Sequence, residues 1–558
     1  MLDTVSSHYG AQSEWDCRRL ASAIRVVRVF WIALVLGQVS PVLATQLYRN
    51  GDTELRWDNT VAYSTEFRLI GRDPRLIADR NSDDGDRNFA RGAVSNRFDL
   101  LSQLDFSQGS FGLHASAAFW YDSVYHQKTD NDSPGTFNPI SVPHNKFTRD
   151  VRNLHGAQAE LVDAFLYGST EVAGLPFSFR VGRHTLLWGE SLFFSDNGIA
   201  AGQAPVDDTK VLGRSSTYAK DVYMPVAQVS ASLQLPGGLA IEAYYQFEWR
   251  KTRLPGSGSY FSDDDYFDAG GERFFLRSGQ FLIRERDRPP PDSGQYGAAL
   301  RWSLDQVDYG FYALRFHAKD PKIYYRSGIV AGPTSTDPPT IIDPSIVDLS
   351  INKGGNYWLV YPQGIELYGA SASSYIGASN IAAEISMRRN MPLANARIFL
   401  PPGQDPDADK NPAYPVGDTL HAQISSITTL ARSPLWDSAT ISAELAATDR
   451  IAVYKNAAEL DPSSTKFAIA FRGAFEPTYF AVLPNLDITF SLGLGYMAGR
   501  SSVATYQNKG PGSLDFGIAA TYRVVWSGSV ALTHFLGNPD REPFADRDFI
   551  RFSIQRTF

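Results

Sequence analysis

Beyond residue 45 the chain alternates apolar and polar residues over stretches of about ten, and it carries no apolar run long enough for a helix to cross a bilayer. Leu239, Ile241, Ala243, Tyr245, Phe247 and Trp249 fall on one parity; Ala240, Glu242, Tyr244, Gln246, Glu248 and Arg250 fall on the other. The same period sorts Val229, Ala231, Leu233 and Leu235 from Ser230, Ser232 and Gln234, with Pro236-Gly237-Gly238 as the turn between the two segments. Leu486, Ile488, Phe490, Leu492, Leu494 and Tyr496 oppose Asp487, Thr489, Ser491, Gly493 and Gly495. Side chains on a strand alternate between its faces, so each segment is a strand with one apolar and one polar side.

A soluble sandwich would turn the apolar side inward. Three features favour a single closed barrel with that side outward in a membrane. The segments fit the roughly 9–11 residues that cross a bilayer at a tilt. Rings cluster at segment ends, at Trp120-Tyr121, Trp249, Tyr522 and Trp526, where aromatic girdles sit. Short connections, among them 236–238, 304–307 and 477–484, alternate with long ones, among them 71–95, 184–225 and 252–294. That asymmetry is the pattern of bacterial outer-membrane barrels, with short periplasmic turns and long outer loops. The connections imply an all-β antiparallel barrel of about 18 strands, within a range of about 14–18, both ends lying in the periplasm. In the last segment Ile550, Phe552, Ile554 and Phe558 face lipid, and Arg551, Ser553, Gln555 and Thr557 face the lumen. A terminal ring on such a strand resembles the signal read by the barrel assembly machinery, although Arg556 stands where a ring is usual.

The N-terminus fits export. Arg18, Arg19, Arg25 and Arg28 precede the apolar stretch 29–37, and Pro41-Val42-Leu43-Ala44 supplies small residues before Thr45. Residues 1–44 therefore read as a signal peptide cleaved after Ala44, and residues 45–558 as the barrel. Cys17, the one cysteine, leaves with the signal, so disulfides and thiolate metal sites are excluded from the exported chain. The acidic balance, 52 Lys and Arg against 60 Asp and Glu, and the lack of a basic run exclude nucleic acid as a partner. Outer-membrane lipid and lipopolysaccharide are the expected surroundings. No cofactor is expected.

Three stretches carry unusual residues. The run Arg180-Val181-Gly182-Arg183-His184-Thr185-Leu186-Leu187-Trp188-Gly189-Glu190-Ser191 leaves a strand and bends at glycines. Folded inward, it would put Arg183, Trp188 and Glu190 in the lumen as a clamp, or else as a charge-paired plug that touches no ligand. The second stretch holds Tyr260 and Phe261, followed by Asp263, Asp264 and Asp265, whose adjacent carboxylates are a weak Ca²⁺ candidate because they lack the alternate-residue spacing of an EF-hand. With Tyr266, Phe267, Phe274, Phe275 and Phe281, this loop suggests an apolar docking surface. The third ends in Arg315 and His317, read as luminal or rim residues. Catalysis finds little support: the remaining histidines are scattered, with no Gly-x-Ser-x-Gly elbow and no His-x-x-x-His pair, so no catalytic residue is assigned and the chain is read as a non-enzyme.

The blocks GRHTLLWGES (182–191), YQFEWRKTRLPGSGSYFS (245–262), YGFYALRFHAKDP (309–321), YPQGIELYGAS (361–371) and DRDFIRFSIQRTF (546–558) resemble the proteobacterial outer-membrane family called domain of unknown function 1302. The resemblance implies an exported barrel, distantly similar to the long-chain fatty-acid transporters. It also implies handling of hydrophobic compounds: lipids, fatty acids, steroids or aromatic esters. The competing expectations are a general porin, a structural barrel of an envelope complex, and an outer-membrane hydrolase.

Overall fold

A computed structural model describes residues 45–210, 222–276, 279–330, 339–503 and 512–558. The signal segment and its cleavage at Ala44 lie outside these residues. All but one of the nineteen strands of the main sheet close into an antiparallel barrel. Each strand pairs with the next in sequence, and the last, Phe549–Thr557, returns to the first, Thr53–Arg68, from Thr60 opposite Thr557 to Arg68 opposite Phe549. The extra strand, Thr45–Asn50, pairs with the near end of Thr53–Arg68, below the reach of the closing strand. Closure leaves no unpaired edge within the wall, which is what a bilayer interior requires of a sheet.

The parity read from the sequence is the parity of the wall. Leu492 is 54% exposed on the outer side, while Gly493 on the next position is buried. Phe516, Ile518, Val530 and Leu532 continue the outer apolar belt. A closed barrel wearing such a belt is an outer-membrane barrel, and the long loops mark its extracellular side. Among the described residues no helix is long and apolar enough to cross a membrane. Arg556 lies over the rings of Trp526 and Phe558, its centre 5.2 and 5.8 Å from theirs.

Two details differ from the sequence reading. The connection expected over 477–484 is instead strand: Phe467–Leu483 runs through Pro477, and the turn shrinks to 484–485. The register breaks between Tyr479 and Leu483, where Ala481 takes a φ of 49°. A proline is tolerated beside such an irregularity, where the regular ladder lapses. The girdle is also thinner than expected. Tyr121 and Tyr522 face outward, but Trp120 turns into the lumen and Trp249 lies past its strand against Tyr361.

The long loops are a packed layer. Five short strands, Arg273–Phe275, Phe281–Arg284, Lys322–Ser327, Lys353–Val360 and Ile398–Phe399, form a second sheet on the extracellular side. Tyr266, Phe274, Leu282, Tyr325 and Tyr357 make one core of this layer; Phe89, Tyr125, Phe147, Tyr260, Phe535 and Phe544 make another. The rings expected to form a docking surface are thus largely interior: Tyr260, Tyr266, Phe274, Phe275 and Phe281 are buried, and Phe261 and Phe267 are half-buried. Loops of this length need an apolar core of their own, and these rings supply it.

Candidate functional site

The stretch that leaves strand Leu175–His184 folds into the barrel and is fastened to the wall by three charged side chains. Glu384, on the inner parity of strand Ser379–Pro392, accepts the amides of Glu190 at 2.6 Å and Ile199 at 2.9 Å. Glu444, on strand Ser438–Lys455, accepts the amides of Leu192, Phe193 and Phe194 at 3.1, 2.5 and 3.0 Å. Arg388 donates to the carbonyls of Asp196, Asn197 and Gly198 at 3.0, 2.6 and 3.0 Å. Asn197 also donates to Gln423 and meets His421, each at 3.0 Å. The two carboxyl groups accept five backbone amides and Arg388 donates to three carbonyls, so these contacts hold the segment in one place. Gly189, at φ 89°, permits the close approach: a Cβ there would lie 2.3 Å from the Glu384 carboxylate.

The predicted site residues separate into luminal and rim positions. Trp188 is luminal but only 2% exposed, packed edge-on to Tyr244 at 5.1 Å and beside Tyr312, Ile199 and Leu314. Glu190 is luminal too, 3.9 Å from Arg301, which also approaches Glu242 at 3.8 Å. Arg183 is not luminal. It shares the parity of Val181, which is 44% exposed to lipid, and it pairs with Glu248 at the extracellular rim. Arg315 likewise shares the outward parity of Phe311 and donates to the Gly294 carbonyl at 2.9 Å. His317 is buried as a pin between loops: its Nδ1 accepts the Gly364 amide at 3.2 Å and its Nε2 lies 3.0 Å from the Ser293 carbonyl. Burial holds its pKa below the usual histidine range, which matches a neutral ring that accepts on one nitrogen and donates on the other. Tyr260 donates to the Arg547 carbonyl at 2.8 Å and, with Phe261, roofs the cavity below. The acidic run splits: Asp265 is buried, while Asp263 and Asp264 line a separate cavity of about 320 Å³.

Between the loop roof, the wall and the far end of the inward connection, at Asp207, Lys210 and Tyr223, lies a cavity of about 500 Å³. Its polar lining is arranged in pairs: Arg97 with Asp99 at 2.6 Å, Arg253 with Glu160 at 2.5 Å and with Asp207 at 2.8 Å. Trp120 stands between the two arginines, whose guanidinium centres lie 4.9 and 5.6 Å from its ring. Its indole is fixed by a 3.0 Å bond to the Leu154 carbonyl. Tyr125, Tyr260, Phe261 and Leu101 complete the surface, so flat apolar faces alternate with fixed charges. Sequence reasoning missed Arg97, Trp120, Glu160, Asp207 and Arg253. The inward parity of Trp120, opposite to that of the exposed Tyr121, was the signal that could have found Trp120.

Fold and lumen together define an outer-membrane barrel with a plugged, charge-lined interior. The chain belongs to the family described as Protein of unknown function (DUF1302), which it matches over residues 25–558. No curated protein matches it. Among solved structures it is similar to OccAB3 of Acinetobacter baumannii, at 10% identity and TM-score 0.42 over 90% of this chain and 99% of that one. It is also similar to the outer membrane channel DcaP of Acinetobacter baumannii, at 9% identity and TM-score 0.38 over 92% and 100%. A third is OccK5 (OpdH) of Pseudomonas aeruginosa, at 10% identity and TM-score 0.39 over 90% and 98%.

Proposed function

We propose that this barrel is an outer-membrane channel for amphipathic small molecules, such as a fatty acid, steroid or aromatic ester, rather than an enzyme. The observation that carries this reading is the 500 Å³ cavity in which Trp120 lies between Arg97 and Arg253. An apolar ring system can lie against the half-buried Phe261 and Leu101, and a carboxylate or carbonyl on the same molecule can meet a guanidinium beside Trp120 without leaving the lumen. A general porin needs a continuous water column, and the fastened segment opposes one. In export, residues 1–44 are removed after Ala44, and the assembly machinery reads the closing strand.

Binding tests this reading. Quenching of tryptophan fluorescence by a medium-chain fatty acid or an aromatic carboxylate should saturate, and Trp120→Phe should remove most of the quenched signal. Saturation by such compounds but not by sugars supports the reading; no quenching in folded protein refutes it. The density of contacts holding the luminal segment favours a second reading, a structural barrel, under which no solute saturates the cavity.

A further inference from the structure

The extracellular layer holds a group of carboxylates that the luminal site does not use. Asp83 and Asp84 belong to loop 69–91, and Asp265 to loop 247–294. One oxygen from each lies within 4.8 Å of the other two, and all three residues are at most 1% exposed. Asp83 pairs with Arg87. Among the described residues Asp84 and Asp265 form no ion pair; Arg273 and Arg547 act on them only from longer range. Loop 123–156 joins the same point, since Asn131 and the Asn138 amide donate to the two oxygens of Asp84 at 3.1 and 2.9 Å.

One Asp265 oxygen accepts the Asp84 amide at 2.8 Å; among the described residues its other buried oxygen has no hydrogen-bond partner, and neither have the buried side-chain oxygens of Asn88, Asn138 and Ser259. These residues converge on the turn 83–88. Asn88 reaches across to the Gly258 carbonyl at 2.8 Å, and a Cβ on Gly85 would lie 2.5 Å from the Ser262 carbonyl and 2.9 Å from that of Ser259. Buried acceptors normally find donors. A cluster made of oxygens, with too few donors and unbalanced negative charge, is the chemistry of a hard cation.

We propose that Asp83, Asp84 and Asp265 form a Ca²⁺ site that ties three extracellular loops over the lumen. Mg²⁺ suits the site less well because it holds several waters, and this position is closed to solvent. The alternative is a shared proton. Burial and the neighbouring carboxylates raise both Asp84 and Asp265, so a proton shared between them is what a bound cation would displace. Bound Ca²⁺ would hold Tyr260 and Phe261 rigidly over the cavity, because both lie on the Asp265 loop. The site stands independently of what the lumen conducts.

The experiment uses the full chain in detergent, stripped with a chelator and titrated with CaCl₂ near neutral pH by calorimetry and thermal melting. The wild type should bind one ion with a Kd between about 10⁻⁶ and 10⁻³ M, and its Tm should rise. Asp265→Asn should weaken binding by more than about tenfold, while Asp263→Asn, a neighbour outside the cluster, should titrate like wild type. Should Asp265→Asn fail to give the folded band on a heat-modifiability gel, competition between Tb³⁺ luminescence and Ca²⁺ on the wild type decides the matter without a variant. Absence of binding in the wild type, or equal binding by folded Asp265→Asn, overturns the proposal. So does a Tm that ignores Ca²⁺ but rises as the pH is lowered, since that is the signature of the shared proton.

Discussion

Removing the Glu444 carboxylate should release the luminal segment without opening the barrel. Glu444 receives three consecutive backbone amides, from Leu192, Phe193 and Phe194. A hydrogen bond to a charged group contributes about 1.5–3 kcal/mol, and a buried amide left unpaired costs about 1–3 kcal/mol. Three such bonds cannot simply be added, because the freed segment moves to water and recovers part of the loss. A local destabilisation of roughly 3–5 kcal/mol is the reasonable figure for Glu444→Ala, and about 1–3 kcal/mol for Glu444→Gln, which keeps an acceptor but loses the charge. At about 1.4 kcal/mol per decade, amide exchange in a peptide covering 190–199 should accelerate roughly 10²–10⁴-fold in the alanine variant. Peptides from the strands should keep their protection, and single-channel conductance should rise as the lumen clears. Hydrogen exchange by mass spectrometry in detergent reads the first outcome. Unchanged exchange over 190–199 in a folded Glu444→Ala protein would show that the segment is held by something other than this carboxylate.

Other outcomes follow from the same geometry. Leu492→Arg should destabilise the barrel by about 2–4 kcal/mol in lipid, and Ser491→Arg far less, as read by denaturant unfolding; equal effects would mean that the faces are misassigned. Trp188→Ala removes a fully packed ring and should cost about 3–5 kcal/mol locally, seen as faster exchange in the luminal segment with strand protection intact. Lys319, buried in the loop layer with its ammonium on the Gly202 carbonyl, has its pKa lowered to about 7 by burial, with Asp320 opposing and Arg388 reinforcing the shift. Its unfolded form holds the proton at pH values where the folded form has lost it, so stability should rise from about pH 7 towards pH 10, by at most about 1.4 kcal/mol per unit. Lys319→Met should flatten that slope in a melting series, leaving the smaller part due to Lys322, which burial lowers to about 8. Intact mass of the exported protein should correspond to a chain starting at Thr45.

Much of the fold was legible because a membrane strand repeats one simple rule, and the alternation at 239–250 or 486–496 states that rule directly. The inward segment was legible from Trp188 and Gly189, a large ring and a bend that interrupt a strand pattern, whereas Gly182 does not bend the chain: it stays in strand Leu175–His184, paired with Phe165 and Gln228. Its anchors were not. Glu384, Glu444 and Arg388 are single charges on the polar parity of long strands, and nothing local separates an anchor from a solvated neighbour. Arg183 and Arg315 were within reach: carrying the parity of Val181 and Phe311 two or four residues further places both at the rim. The loop rings at 260–281 have no period, so sequence could not tell a core from a surface. The association of Asp265 with Asp83 and Asp84 depends on loops separated by most of two hundred residues of chain.

A channel of the proposed kind must pass amphipathic solutes past the fastened segment. Proteoliposomes carrying the purified barrel, loaded in parallel with an aromatic carboxylate and with a neutral sugar of similar size, test this directly. Saturable efflux of the carboxylate, strongly reduced in Trp120→Ala and Arg253→Ala while sugar stays inside, is the predicted result. Equal efflux of both solutes, or no efflux of either from a barrel that is folded by gel mobility, would contradict it.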